Sequence, residues 1–301
     1  MGRELASALN ASVVAAIDDL DLVARRIVEG LRTGNNRSPF HGFSSEFRQH
    51  RPYRAGDDLK HLDWKLYGRS DRLYTRQFEE TTDLAVMLVL DTSASMAFPE
   101  EGLSKFRYGA IIAAALAYLI SDQGNMVGLL TETRGALTYL PARGGRPHLR
   151  SLLGQIDRLV PEGVFDAPRV ISRGAQLLRR RGVVIVISDF YDDEENTRRE
   201  LRRVTEYGHD VAMLQLISPA ELVLPYTGSL ELEDLESGAK QLTDVADVAP
   251  RYDAELHDFL VRCRREALGA GIDHALITTD TPPEEALREY LIRRRAGTAA
   301  K

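Results

Sequence analysis

Six short segments of the chain are strongly apolar, and each has the length of a β-strand. They are VMLVL (86–90), VGLLTE (127–132), ALTYLP (136–141), VVIVISDF (183–190), DVAMLQLI (210–217) and DHALITTD (273–280). Several are continuously apolar, which is typical of strands covered on both faces. Amphipathic stretches of helical length separate most of them, so the alternation predicts a mostly parallel sheet with helices on both sides.

One connection departs from this alternation. Only Thr133, Arg134 and Gly135 lie between the second and third segments, which is too short for a crossover and predicts an antiparallel hairpin. We expect an α/β, doubly wound sheet with strand order 3-2-1-4-5-6 and an antiparallel third strand. Two short alternating runs within 228–245 predict a small β-hairpin, inserted at about 219–250.

The first 80 residues differ from the rest. A helix is predicted at about 12–32, and residues 51–80 are dense in arginine, aspartate and aromatic residues, including the single tryptophan, Trp64. Because exposed aromatic side chains would not offset the entropy lost on ordering, we expect this segment to fold against the sheet. The run RLYTRQFE (72–79) alternates at period two, and this pattern predicts an additional strand. The predicted division is 1–80 and a sheet domain at 81–295.

Composition excludes several classes of protein. The net charge of −6 argues against nucleic-acid binding, which needs a basic face. The longest apolar stretch, 110–120, is too short to span a membrane, and no secretory signal pattern opens the chain, so we predict a cytoplasmic protein. Cys263 is the only cysteine, which rules out an internal disulfide and a cysteine metal cluster.

Oxygen-bearing side chains follow the first and fourth strands. Asp91, Ser93 and Ser95 alternate after the first, and Asp189 follows the fourth. In the expected strand order these strands are neighbours, and the crevice at their carboxyl ends is the usual binding position. Two carboxylates and two hydroxyls are hard ligands of the kind that Mg²⁺ prefers. Without an ion, the pKa of one carboxyl group should be raised.

Two other interpretations compete with the metal site. Asp91, Ser93 and Ser95 are residue types that cap helices, although capping explains only one of the three positions. Asp91 is also a candidate nucleophile of a metal-assisted phosphoryl-transfer enzyme or hydrolase, with Asp189 holding the metal. That chemistry usually needs a nearby lysine, and the nearest candidate is Lys105 in the following helix. No glycine-rich nucleotide-binding motif is present.

These residues carry a family resemblance. The D-x-S-x-S motif at 91–95, the antiparallel third strand and ISD at 187–189 resemble the von Willebrand factor A domain and its metal-ion-dependent adhesion site. The segment YRAGDDLKHLDW, followed by LVLDTSASM, resembles the domain-of-unknown-function family fifty-eight, bacterial proteins associated with MoxR-type AAA+ ATPases. The resemblance covers about residues 36–280. It implies a non-enzymatic protein-interaction module, an adaptor or co-chaperone, whose Mg²⁺ is completed by a carboxylate of the partner.

One position departs from that pattern. Phe165, in PEGVFDAPRV (161–170), stands where the resemblance implies a threonine ligand, with Asp166 next to it as a possible substitute. The expected metal ligands are therefore Asp91, Ser93, Ser95 and Asp189, and the expected partner-facing residues are Ser93, Ser95, Phe165 and Asp166. Because Mg²⁺ demands a nearly ideal octahedral shell, we expect its binding to be millimolar, weaker or absent. Phe165→Thr should strengthen it.

Overall fold

The structure is a computed structural model. The structure describes residues 19–33, 46–52, 66–68, 73–79, 84–99, 102–191, 194–233, 235 and 238–298. These residues fall into two compact units, one within 1–39 and 85–301 and the other within 40–84. Among the described residues, no helix combines the length and the apolar character needed to cross a membrane.

A six-stranded sheet forms the centre of the larger unit. Its strands are β3 (Ala85–Leu90), β4 (Met126–Thr133), β5 (Ala136–Arg143), β6 (Val183–Ser188), β7 (Asp210–Ile217) and β10 (Asp273–Thr278). Their order is β10-β7-β6-β3-β4-β5, and only β5 runs antiparallel, against β4. The predicted order 3-2-1-4-5-6 and the antiparallel third strand are therefore confirmed.

Helices cover both faces of this sheet. In chain order they are α1 (Leu20–Thr33), α2 (Lys105–Asp122), α3 (Arg146–Ile156), α4 (Ala167–Leu177), α5 (Glu194–Glu206), the single turn α6 (Pro219–Leu222), α7 (Val245–Gly269) and α8 (Pro283–Thr298). On one face, α4, α5 and the end of α7 enclose a core with Met87 and Val89 of β3. On the other face lies α2, where Gly109 allows close approach, because an added Cβ would lie 3.3 Å or less from Leu90 and Ile187. Alternate residues of β3 therefore serve opposite cores, as expected for a sheet buried on both faces.

Helix α1 belongs to the α2 layer. It packs against α2, α8 and α3, and its buried side chains recur at helical spacing: Leu20, Val23, Ala24, Ile27, Val28 and Leu31. At its polar edge, Arg32 Nη2 donates to Asp122 Oδ2 at 2.6 Å. The predicted N-terminal helix is thus present from Leu20, and residues 12–18 lie outside the described part.

Two further sheets are antiparallel and two-stranded, and in the described part of the chain neither is hydrogen-bonded to the six-stranded sheet. Strands β8 (Ser229–Glu233) and β9 (Lys240–Asp244) form the predicted inserted hairpin. In the smaller unit, β1 (Glu46–Pro52) pairs with β2 (Tyr74–Glu79). The run 72–79 therefore contains a strand, but this strand has its partner in β1 rather than in the six-stranded sheet. Trp64 lies outside the described residues, so the packing of 51–80 on the sheet stays a prediction.

Candidate functional site

The adjacency of β3 and β6 brings the two predicted carboxylates to one place. The strands are parallel neighbours, and the backbone N–H of Asp91 donates to the carbonyl of Ile187 at 3.0 Å, extending the ladder to the strand ends. Asp91 follows the last residue of β3, and Asp189 follows the last residue of β6. Both therefore lie at the edge formed by the carboxyl ends of the parallel strands, here called the carboxyl edge.

A chain of hydrogen bonds connects the motif residues. The N–H of Ser93 donates to Asp91 Oδ1 at 2.7 Å, and the Oγ atoms of Ser93 and Ser95 are 2.9 Å apart. Ser95 Oγ in turn donates to Asp189 Oδ2 at 2.8 Å. The other oxygen of Asp91 accepts a hydrogen bond from Ser188 Oγ. The four predicted residues thus form one network, with Ser188 as an additional member.

This network is not explained by helix capping. A 3₁₀ turn follows at Ala94–Ala97, with Ser93 at its N-cap position, but the Ser93 side chain makes no capping hydrogen bond. Its hydroxyl faces Ser95 instead. The hydroxyl groups of Ser93 and Ser95 are therefore engaged in the network with Asp189 and not in capping the 3₁₀ turn.

Burial and a neighbouring charge both disfavour the ionised form of Asp91. Burial and, second, the charge of Asp189 raise the pKa of Asp91 to about 7, although hydrogen bonds from Ser188 and Ser93 act in the opposite direction. The larger cause is burial, and repulsion by Asp189 comes second.

A buried lysine lies against the second carboxylate. Lys105 is the first residue of α2, and its side chain is only 1% exposed. Its Nζ donates to Asp189 Oδ2 at 2.8 Å and to Glu221 Oε1 at 2.6 Å. Burial lowers the pKa of Lys105, but Asp189 and Glu221 more than offset this and leave it raised. The ammonium group therefore stays charged inside the site.

Glu221 reaches the site from the start of the insertion that follows β7. It is the third residue of α6, where a capping box joins it to Ser218: Glu221 Oε2 accepts from the N–H of Ser218 at 2.7 Å. Its other oxygen holds Lys105. Burial raises the pKa of Glu221, and the charge of Lys105 lowers it. One carboxylate thus fixes the turn and the ammonium together.

An aromatic ring completes the surroundings of the ammonium. Phe190 has φ 62, a left-handed backbone conformation that is uncommon outside glycine, stabilised by its N–H donating to Ser188 Oγ at 2.9 Å. The turn leads to Tyr191, whose ring centroid lies 4.7 Å from Lys105 Nζ. This is a cation–π distance. The ring also packs 5.4 Å from that of Phe259 on α7.

Phe165 lies inside the protein. Its side chain is 0% exposed and packs in the core with Met87, Val89 and Phe190. The predicted partner contact through Phe165 is therefore corrected, because no partner could touch the ring. Ser93 is buried as well.

Asp166 has a structural task of its own. It is exposed and caps α4, accepting from the N–H of Arg169 at 3.0 Å. The loop before it is held to the motif by two backbone hydrogen bonds of 2.8 Å, from Ala94 N to Gly163 O and from Glu162 N to Thr92 O. Asp166 therefore lies beside the site with its carboxylate engaged in capping.

The fit of Mg²⁺ can be judged from these contacts. The oxygen chemistry of Asp91, Ser93, Ser95 and Asp189 suits the ion, but Asp189 Oδ2 already accepts from Ser95 and from the ammonium of Lys105. A divalent cation on that oxygen would lie beside a buried positive charge. With Lys105 in this position, these residues do not fit a resident Mg²⁺.

The sequence prediction did not include Ser188 or Glu221, and it considered Lys105 only as a candidate lysine for phosphoryl transfer; each of the three had a signal. Ser188 precedes Asp189 in the same apolar strand. Lys105 stands in the first turn of a helix, where the macrodipole disfavours a cation, so a compensating anion could have been expected. Glu221 belongs to the SPAE segment at 218–221, which indicates a capping box but not a site.

The comparisons with known proteins assign a family. The model of the family described as "Protein of unknown function DUF58" matches residues 49–258. The chain belongs to this family. Uncharacterized proteins of Mycobacterium bovis and Mycobacterium tuberculosis are each 33% identical to it over 229 residues, 75% of this chain and 72% of theirs. A crystal structure of an aerotolerance-related membrane protein from Bacteroides fragilis aligns with a TM-score of 0.49 at 16% identity, covering 70% of this chain and 99% of that one.

Proposed function

We propose that this DUF58 protein is a non-enzymatic protein-interaction module of the cytoplasm that serves as adaptor or co-chaperone to a MoxR-type AAA+ ATPase. Two kinds of support favour this function. The family resemblance implies the ATPase partner. The geometry of Asp91 argues against a role as a catalytic nucleophile at the same site.

The observation that carries the proposal is the confinement of Asp91. The residue is 1% exposed, and its two carboxylate oxygens accept from Ser93 N and Ser188 Oγ. A nucleophile must present a free, charged oxygen to its substrate. Asp91 instead ties the motif loop to the end of β6, which is the work of a structural residue beneath a docking surface.

Exposed side chains around the motif supply that surface. Val164 is 57% exposed and Tyr191 is 40% exposed, while Ser95 is half-buried and Asp166 is exposed. Interfaces commonly combine an aromatic or aliphatic centre with polar side chains around it. We expect a partner to cover these residues and to place a polar group against Ser95.

The test is binding of purified full-length protein to a MoxR-type ATPase of the same bacterium, measured by calorimetry. Val164→Arg should weaken binding at least about ten-fold, since a charged side chain would be buried at the interface. Leu22→Arg is the matched control, because Leu22 is 45% exposed on α1 and should leave the affinity unchanged. Absence of binding by the wild type would exclude this partner, and equal weakening by both variants would place the interface elsewhere.

One observation favours the alternative, a metal-assisted phosphoryl-transfer or hydrolase activity. The sequence argument against it was the lack of a lysine near Asp91, yet the ammonium of Lys105 lies within the site. It contacts Asp189 and Glu221 rather than Asp91. Hydrolysis of p-nitrophenyl phosphate by the wild type that disappears in Asp91→Asn would favour this alternative over the interaction module.

A further inference from the structure

The ammonium of Lys105 occupies surroundings that proteins usually build for a cation. It has a carboxylate oxygen at 2.8 Å from Asp189, another at 2.6 Å from Glu221, and the face of Tyr191 at 4.7 Å. Its side chain and that of Asp189 are 1% and 2% exposed. Lysine is almost never buried to this extent unless its charge is paired.

The position is also unfavourable for a lysine unless the carboxylates hold it there. Lys105 is the first residue of α2, after the N-cap Ser104, where the helix dipole repels positive charge. The cost of burying the charge adds to that repulsion. Two anions and an aromatic face offset both costs. The contacts with the site, and not the stability of the helix, therefore account for a lysine at this position.

We infer that Lys105 is the resident cation of this site: its ammonium replaces the divalent ion and holds Ser95 and Asp189 in place without metal. Asp189 Oδ2 is the shared atom, since it accepts from both Ser95 Oγ and Lys105 Nζ. An ion that used this oxygen would have to displace the ammonium into a space already filled by Glu221 and Tyr191. The tethered charge therefore closes the site to Mg²⁺.

Glu221 has a corresponding part in this arrangement. In a metal-centred adhesion site, the resemblance implies that an acidic residue of the partner completes the shell. Here a carboxylate of the same chain, brought by the insertion after β7, approaches the cation at 2.6 Å. The same chain thus supplies both the cation, from Lys105, and the additional carboxylate, from Glu221.

The experiment uses Mn²⁺ as a probe of the full-length protein, followed by electron paramagnetic resonance of the free ion, together with melting temperatures in MgCl₂ and in EDTA. The wild type should show no saturable Mn²⁺ binding below millimolar concentration. Lys105→Met leaves Asp189 and Glu221 without a cation, and should bind Mn²⁺ at least about ten-fold more tightly. Its melting temperature should rise in MgCl₂ and not in EDTA.

Two variants control for loosening of the site and for general loss of a lysine. Glu221→Gln removes a contact of the same ammonium but also a negative charge, so it should gain no Mn²⁺ affinity. Lys240→Met removes an exposed lysine that pairs with Glu231 and Glu233, and it should behave as the wild type. A gain in either would show that the effect of Lys105→Met is not specific.

Two results would overturn the inference. One is micromolar Mn²⁺ binding by the wild type that is lost in Asp91→Asn, because the metal and Lys105 would then coexist. The other is a folded Lys105→Met protein that gains no affinity. If Lys105→Met does not fold, the same Mn²⁺ titration of Lys105→Gln and of the wild type tests the inference. The inference concerns the same site as the proposed function but needs no ATPase, so calorimetry with the ATPase can fail independently.

Discussion

At the scale of single residues, Asp91 shows how burial changes the role of a carboxylate. Its hydrogen-bond donors are the backbone N–H of Ser93 and the hydroxyl groups of Ser188 and Ser93. None of them carries a charge, so the cost of ionising a carboxyl group at 1% exposure is only partly offset. The pKa of about 7 follows from this, with a further contribution from Asp189. Folding therefore shifts Asp91 toward its protonated form.

This predicts a dependence of stability on pH. The pKa of Asp91 is about 7 in the folded protein, against an ordinary value of 3.8, so the folded state binds the proton more tightly than the unfolded state. The stabilisation is complete below about pH 4 and is lost as pH rises through about 7. In EDTA, the free energy of unfolding of the wild type should therefore fall over this range relative to Asp91→Asn, by an amount on the order of a few kcal/mol.

The control for that experiment is Asp166→Asn. Asp166 is exposed and caps α4, and asparagine caps a helix about equally well. Its stability should run parallel to that of the wild type across the range. If Asp91→Asn also runs parallel in urea unfolding at each pH, then folding does not raise the pKa of Asp91.

At the scale of elements, the strands were predictable and the contacts of the long side chains were not. Continuous apolar runs and the short Thr133–Gly135 connection determine the strand order, because few topologies satisfy both. The order then places Asp91 and Asp189 together without further information. Lys105 and Glu221 depend on rotamers and on the course of the insertion after β7, which hydrophobic periodicity does not encode.

The loop before α4 requires a revised prediction. Threonine at position 165 was expected to restore a metal ligand, but Phe165 fills a core shared with Met87 and Val89. Phe165→Thr would leave a cavity and bury a hydroxyl group without a designed partner, at a cost of about 3 kcal/mol or more. We expect a lower midpoint in urea unfolding and no gain in Mg²⁺ affinity, because Lys105 remains.

Val164→Thr is the matched control in the same loop. Val164 is 57% exposed, so its replacement should change the free energy of unfolding by less than about 0.5 kcal/mol. A Phe165→Thr protein as stable as this control would mean that the loop can turn residue 165 outward, and would reopen the question of a threonine ligand.

At the scale of the whole molecule, the larger compact unit is discontinuous in sequence. It contains α1 and the region from Ala85 onward, while residues 40–84 form the other unit. The sequence indicated a division near residue 80 and did not show that α1 has its contacts in the α2 layer. An amphipathic helix reveals that one face is buried, but not what buries it.

The last prediction tests whether α1 is an integral part of that unit. We consider a protein with a specific protease site inserted after Asn36, so that cleavage separates α1 from the sheet in sequence. Ile27 is 0% exposed and Leu31 is 1% exposed, and burial of each such side chain is worth roughly 1.5–3 kcal/mol. The two fragments should therefore elute together in size-exclusion chromatography and separate only in denaturant.

Ile27→Asp should release the N-terminal fragment after cleavage, because an unpaired carboxylate would be buried against α2 and its neighbours. Leu22→Asp, at a position that is 45% exposed, should not. Release of the fragment from the protein without substitutions would show that α1 is held mainly by its covalent connection. Equal release from both variants would show that the face of α1 bearing Ile27 does not contribute more to the contact than the face bearing Leu22.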